Sequence, residues 1–304
     1  MIKMIKIAIP QIPLLILSLL TITCTQYPTK ATNTKPPSTR VSIEGKQFFI
    51  NGSPTYQGRK WKGNQIEGLL FNSRMVQGIF DDSNPATRDN FKYPDTKEWN
   101  PERNTNEFIA AMPDWEQHGL LAFTLNLQGG SPLGYGNKGW RNSTFNEDGT
   151  LKPSYLNRLE KILNKADELG MVVILGYFYF GQDQYFTDET AVIRATDNIT
   201  DWILKKDYKN ILIEITNECD IQYDHAILQP ERVHELIKRV KSKAEHLLVS
   251  TSYRGGAVPS AKVVEVSDYI LLHGNKMEDP ILVTKLIEEV KKIPTYTSKP
   301  ILFN

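Results

Sequence analysis

Cysteine is almost missing from this chain: Cys24 and Cys219 are the only two in 304 residues. Cys24 falls beside an N-terminal apolar segment, so no intramolecular disulfide is expected, and no Cys/His spacing suits zinc. An excess of charge is missing as well. Lys and Arg number 36 against 35 Asp and Glu, a formal net charge of +1, which leaves no field to draw nucleic acid or an anionic membrane surface. The expected partner is a neutral molecule. There is no Gly-rich phosphate loop and no Gly-x-Ser-x-Gly elbow, which removes the usual nucleotide and serine-hydrolase signatures. Gly129-Gly130 and Gly255-Gly256 read as loop hinges. No repeat of fixed short period is visible either.

What is present begins with Lys3 and Lys6 ahead of an apolar run from Ile7 to Ile22, too short and too interrupted by proline to span a membrane comfortably. Residues 1–24 are expected to be a secretory leader. Leu19-Leu20-Thr21-Ile22-Thr23-Cys24 resembles a bacterial lipobox, which implies a lipid tether on Cys24 and an exported protein, periplasmic, outer-membrane-anchored or extracellular. Residues 25–40 carry almost no bulky apolar side chains and are expected to form a disordered tether. Val41 to Ile43 and Gln47 to Ile50 flank Glu44-Gly45-Lys46 and predict a β-hairpin able to cover the bottom of a barrel.

Farther on, short apolar runs alternate with amphipathic stretches, the pattern of a parallel sheet whose strands are each followed by a helix. Strands are predicted at Met75 to Phe80, Leu120 to Leu127, Met171 to Phe178, Ile211 to Thr216, Leu247 to Thr251, Tyr269 to Leu272 and Pro300 to Phe303. Helices are predicted between them at Thr105 to His118, Pro153 to Leu169, Glu189 to Lys205, Pro230 to His246, Pro259 to Val266 and Pro280 to Lys292. A nucleotide-binding sheet would place a Gly-rich turn after its first strand. Here that place holds Asp81-Asp82-Ser83-Asn84-Pro85 and a long polar connection. Long loops on the strand ends build the sites of barrels, so the predicted fold is an α/β (β/α)8 TIM barrel over residues 41–304 with an N-terminal hairpin.

The segment Ile211-Leu-Ile-Glu-Ile-Thr-Asn217-Glu218 runs a buried-looking fourth strand straight into Asn-Glu. At that strand end Glu218 would face the barrel mouth, partly withdrawn from water, where a carboxyl group can hold the proton a leaving oxygen needs. Here the chain resembles clan A of the retaining glycoside hydrolases, the cellulase-like barrels. The resemblance implies that Glu218 is the catalytic acid/base and that Asn217 binds the hydroxyl beside the anomeric carbon. It also implies an arginine near the nucleophile, matched by Arg74 at the start of the first strand, and a substrate-contacting histidine after the sixth, matched by His273. The clan's second carboxylate ends the seventh strand, and this sequence stops at Lys299-Pro-Ile-Leu-Phe-Asn304. The barrel is therefore expected to be incomplete after strand seven, with the nucleophile just past Asn304 or absent.

Aromatic and polar residues near the other strand ends are expected to line sugar subsites: Tyr177, Tyr179, Phe180, Tyr223, Tyr253, Tyr135 and Trp140, with Asn126, Gln128 and Asp183 meeting hydroxyls. Adjacent Asp81 and Asp82 invite a Ca²⁺ reading, but the next acidic residues lack loop spacing, so no metal and no cofactor are expected. The basic helix with Lys238, Arg239, Lys241 and Lys243 is interleaved with Glu235 and Glu245 and reads as a solvated face. The predicted protein is a monomeric glycosidase acting on a poly- or oligosaccharide by double displacement. Two alternatives stay open: a non-catalytic carbohydrate binder on a degenerate barrel, and a barrel hydrolase or lyase of other specificity.

Overall fold

The structure is a computed structural model that describes residues 38–134 and 139–304. The predicted leader, Cys24, residues 25–37 of the tether and Tyr135 lie outside the described residues. The last three tether residues are tied down. Ser38 and Thr39 donate their backbone N–H to the Asp167 carboxylate at 2.9 and 2.7 Å, and Arg40 forms a bridge with Lys209. Composition misses this because the anchors are hydrogen bonds rather than apolar burial.

The predicted hairpin is present as β1 (Val41–Glu44) and β2 (Gln47–Ile50), antiparallel, with β3 (Ser53–Pro54) added to its edge. A small second hairpin pairs β4 (Lys60–Trp61) with β5 (Asn64–Gln65). Next come the strands of the main sheet: β6 (Asn72–Arg74), β7 (Ala122–Asn126), β8 (Val172–Tyr179), β9 (Ile211–Asn217) and β10 (Leu248–Ser250). They lie parallel and adjacent in chain order. A separate parallel pair follows, β11 (Ile270–Leu272) with β12 (Ile301–Phe303). The intervening helices are α1 (Pro101–Gln117), α2 (Pro153–Glu168), α3 (Glu189–Lys206), α4 (Val233–Lys243), α5 (Ala261–Val266) and α6 (Pro280–Lys291).

Strict alternation along the strands splits the core into two layers. Phe123, Leu125, Val173, Leu175, Ile211, Ile213 and Ile215 pack outward among helix residues such as Leu159, Ile162 and Ile199. Ala122, Val172, Ile174, Leu212, Tyr269, Leu271 and Leu302 point inward. Val41 and Phe48 of the hairpin join that inner cluster, with the Phe48 and Tyr269 rings 6.2 Å apart, so the hairpin does plug the inner layer. The result is a partial barrel of seven parallel strands in two sheets. Between β6 and β12 there is no ladder; Asn72 Nδ2 donates to the Phe303 carbonyl at 2.7 Å beside a cleft of about 260 Å³ lined by Leu69, Phe71 and Ile301.

Two elements depart most from expectation, and α4 is also three residues shorter at each end than Pro230 to His246. The first barrel strand is Asn72–Arg74, not Met75 to Phe80. The apolar residues predicted as a strand instead form a turn whose Val76, Ile79 and Phe80 are buried. The true strand is polar because its side chains serve the barrel interior. Helix α1 starts four residues earlier than Thr105, at Pro101, because Asn100 accepts the Arg103 N–H at 2.9 Å and Pro fits the first turn.

Candidate active site

The register of β6 decides where Arg74 sits. As the last residue of a short strand rather than the residue before a long one, it reaches across the strand ends. Its Nη2 donates to Asn217 Oδ1 at 2.7 Å and its Nη1 lies 3.0 Å from His273 Nε2. Those partners are 143 and 199 residues away in sequence. His273 follows β11 and places Nδ1 2.8 Å from Glu218 Oε1. A guanidinium has only donors. His273 Nε2 must therefore accept, Nδ1 carries the ring proton, and that proton is donated to Glu218. With Nε2 bare, its 3.8 Å separation from Glu214 Oε1 is a spacing and not an ion pair.

Glu218 itself follows β9 in the left-handed region, φ +53°. A non-glycine residue rarely adopts that conformation, and such strain clusters at functional sites. Three hydrogen bonds hold it. Glu218 N–H donates to Ser252 Oγ at 2.8 Å, Cys219 N–H to the Ser252 carbonyl at 2.9 Å, and Ile221 N–H to the Glu218 carbonyl at 2.9 Å. Tyr223 closes the turn by donating its hydroxyl to the Asn217 carbonyl at 2.6 Å. Four of the sequence-predicted residues, Glu218, Asn217, Arg74 and His273, thus form one hydrogen-bonded group.

The other candidates fare differently. Tyr177 is 0% exposed and its hydroxyl lies 3.2 Å from Thr200 Oγ1 on α3. It faces the helical layer, because Val173, Leu175 and Tyr177 share one parity of β8, so a subsite role for Tyr177 is corrected. Tyr253 is buried in the same outer cluster and its hydroxyl accepts the Ser260 N–H at 3.2 Å, which likewise removes it from the Glu218 group. Trp140 packs against Phe91 at a centroid distance of 5.8 Å, in a satellite cluster with Phe80, rather than offering a face. Tyr179 ends β8 under the Gly129 backbone; a Cβ on Gly129 would lie 2.4 Å from the Tyr179 ring, so only glycine fits there. Asn126 ends β7 inside the barrel, and among the described residues neither of its amide atoms has a partner.

Asp183 is a clamp rather than a sugar ligand: its Oδ2 accepts the N–H groups of Asp224 and His225 at 2.7 and 3.2 Å. Burial pushes its carboxyl above the usual aspartate value, against those two hydrogen bonds. Asp82 is consumed by the N–H groups of Asn84 and Arg141 and by the Thr87 hydroxyl, and Asp81 by Trp99 Nε1 and nearby arginines. Among the described residues no group of three His, Cys, Asp or Glu side chains could hold a metal ion. Burial drives the Cys219 thiol well above its ordinary value, so it is no nucleophile at neutral pH.

Two residues of the group were not anticipated. Glu214 lies inward on β9, fully buried, and Ser252 donates its hydroxyl to Glu214 Oε1 at 2.5 Å. The available signal was a lone carboxylate in an apolar strand, four residues before Glu218 and of the same parity, since charged residues are seldom fully buried without a partner. A cleft of about 400 Å³ lined by Cys219, Asp220, Gln222 and Glu231 opens at the residue after Glu218.

No protein-family model matches the sequence, and no curated protein matches it. Solved structures do. A glycoside hydrolase family 5 protein from Bacteroides vulgatus ATCC 8482 superposes with TM-score 0.50 at 15% identity, covering 88% of this chain and 53% of that one. A glycoside hydrolase family 5 mannosidase from Rhizomucor miehei superposes with TM-score 0.51 at 13% identity, covering 88% of this chain and 72% of that one. The chain thus spans about half the length of the first. At these identities the likeness is one of fold: the parallel strands and helices of this partial barrel follow the arrangement found in family 5 glycoside hydrolases.

Proposed function

We propose that the protein is a glycoside hydrolase in which Glu218 protonates the departing glycosidic oxygen. The observation that carries this reading is the joint placement of Glu218 and His273. A carboxyl group at the end of the fourth parallel strand is held in a strained backbone conformation, with Oε1 fixed by His273 Nδ1–H. Oε2 is then the oxygen that exchanges a proton with substrate. Arg74 fixes Asn217 Oδ1, which turns the side-chain Nδ2 of Asn217 into a donor for a sugar hydroxyl and sets its distance from the acid. The fold likeness to family 5 enzymes favours the same chemistry by analogy.

Double displacement needs a second carboxyl group about 5 to 5.5 Å from the acid. Glu214 is unsuited to attack, being enclosed and hydrogen-bonded to Ser252. Export by the leader, a lipid tether on Cys24 and action on an extracytoplasmic poly- or oligosaccharide belong to the same proposal; mass spectrometry of protein from its native envelope, finding Met1 retained, would contradict export. Screening the full chain against a panel of β-linked oligosaccharides tests the function. Hydrolysis that is lost in Glu218→Gln supports it, whereas sugar binding without hydrolysis favours the carbohydrate-binding alternative.

A further inference from the structure

We propose that Glu214 and Ser252 are a positioning pair that holds Glu218 in its left-handed backbone conformation and so aims its carboxyl group at His273. The importance of that aim rests on the reading of Glu218 as the acid; the geometry does not. Ser252 has one hydroxyl proton. It accepts the Glu218 N–H at 2.8 Å, so its own proton must go elsewhere, and the near acceptor is Glu214 Oε1 at 2.5 Å, with the Thr216 carbonyl at 3.5 Å. Glu214 therefore fixes the rotation of the Ser252 hydroxyl and keeps its lone pair on the Glu218 amide.

The scaffold makes this a rigid link. Glu214 and Ser250 are register partners across β9 and β10, and Ser252 N–H and Cys219 N–H bond to the Thr216 and Ser252 carbonyls at 3.2 and 2.9 Å. Both ends of the relay, Glu214 and Glu218, are on one strand and its exit. Glu214 is fully buried, and its Oε2 has no hydrogen-bond partner among the described residues. A buried carboxyl group with one oxygen unpaired costs stability. An apolar residue would pack the strand at less cost, so what Glu214 contributes is the orientation of Ser252.

The test uses the full chain labelled with ¹⁵N at histidine rings, with the His273 signals assigned through His273→Gln. Wild type is expected to show a hydrogen-bonded Nδ1–H proton, and Glu214→Gln, which keeps an acceptor for Ser252, should retain it. Ser252→Ala and Glu214→Leu should lose that signal as Glu218 swings away, and kcat should fall at least tenfold with KM changed less than threefold. A purely structural pair would leave the His273 signal in place; its persistence in folded Ser252→Ala overturns the proposal. The signal is read without any substrate, so failure of hydrolysis in wild type tells against the proposed function and not against this pair. If Ser252→Ala does not fold, Glu218→Gly and Glu218→Ala decide: glycine accepts φ +53°, so it should melt higher than alanine. Alanine melting at or above glycine would mean that there is no strained conformation to hold.

Discussion

Replacing Arg74 by lysine keeps the charge and removes the fork. In the structure two nitrogens of one guanidinium reach partners at the ends of different strands, Asn217 Oδ1 at 2.7 Å and His273 Nε2 at 3.0 Å. A lysine ammonium is a single point and cannot match a planar two-pronged contact. One of the two acceptors, both on buried residues, is then left unpaired, at a cost of about 1–3 kcal/mol. Taking about 2 kcal/mol, the melting temperature should drop by roughly 4–8 °C for a domain of this size. Arg74→Met strands both acceptors and should cost about twice as much. The same change frees His273 to move its proton to Nε2, which removes the donor from Glu218, so kcat should fall in Arg74→Lys even at temperatures where the fold is intact. Calorimetry and initial-rate hydrolysis on one preparation make the comparison. An Arg74→Lys protein that melts and turns over like wild type would refute the placement of Arg74 at the strand end, and with it the His273 tautomer.

Other outcomes follow from single contacts. Because burial raises the Asp183 carboxyl above its ordinary 3.8, the native state holds that proton longer than the unfolded chain, and stability falls as pH rises from about 4 through the native value. Asp183→Asn should flatten that slope in denaturant titrations between pH 4 and 7; an unchanged slope would contradict the assignment. Gly149 has φ +84° and a Cβ there would lie 2.2 Å from the Ala191 carbonyl oxygen. Gly149→Ala should therefore destabilise by about 2 kcal/mol or more, read as a fall in denaturation midpoint at unchanged slope. A Cβ on Gly176 would lie 2.5 Å from Asn126 Oδ1, so Gly176→Ala should displace the Asn126 side chain and lower the melting temperature by calorimetry; an unchanged melting temperature would contradict the close packing.

The fourth strand was readable because an unbroken apolar run ends in Asn217-Glu218, and proline or an acidic cap announced the helix starts at Pro153, Glu189 and Pro280, whereas Pro101 was passed over and Pro230 and Pro259 lie before their helices. The first strand was not readable. Asn72, Ser73 and Arg74 carry no apolar pattern, and the side chains of Asn72 and Arg74 meet the Phe303 carbonyl and the Asn217 and His273 side chains across the interior, contacts that no local window contains. The apolar residues that follow are buried for another reason, packing a turn. Tyr177 illustrates a signal available but unused: its parity with Val173 and Leu175 already assigns it to the helix side of the sheet. Ser252 could not have been found from sequence, since a single serine after a short strand acquires meaning only once Glu214 and Glu218 stand on either side of it.

The most direct measurement is a leaving-group series on wild type and Glu218→Gln. Protonation matters most when the departing oxygen is basic, and a general acid contributes about 10²- to 10⁴-fold. The account predicts that Glu218→Gln loses activity by about that factor on natural-type glycosides with alkoxide leaving groups, and far less on aryl glycosides whose leaving group departs unaided. Equal losses across the series, or none, would contradict Glu218 as the acid.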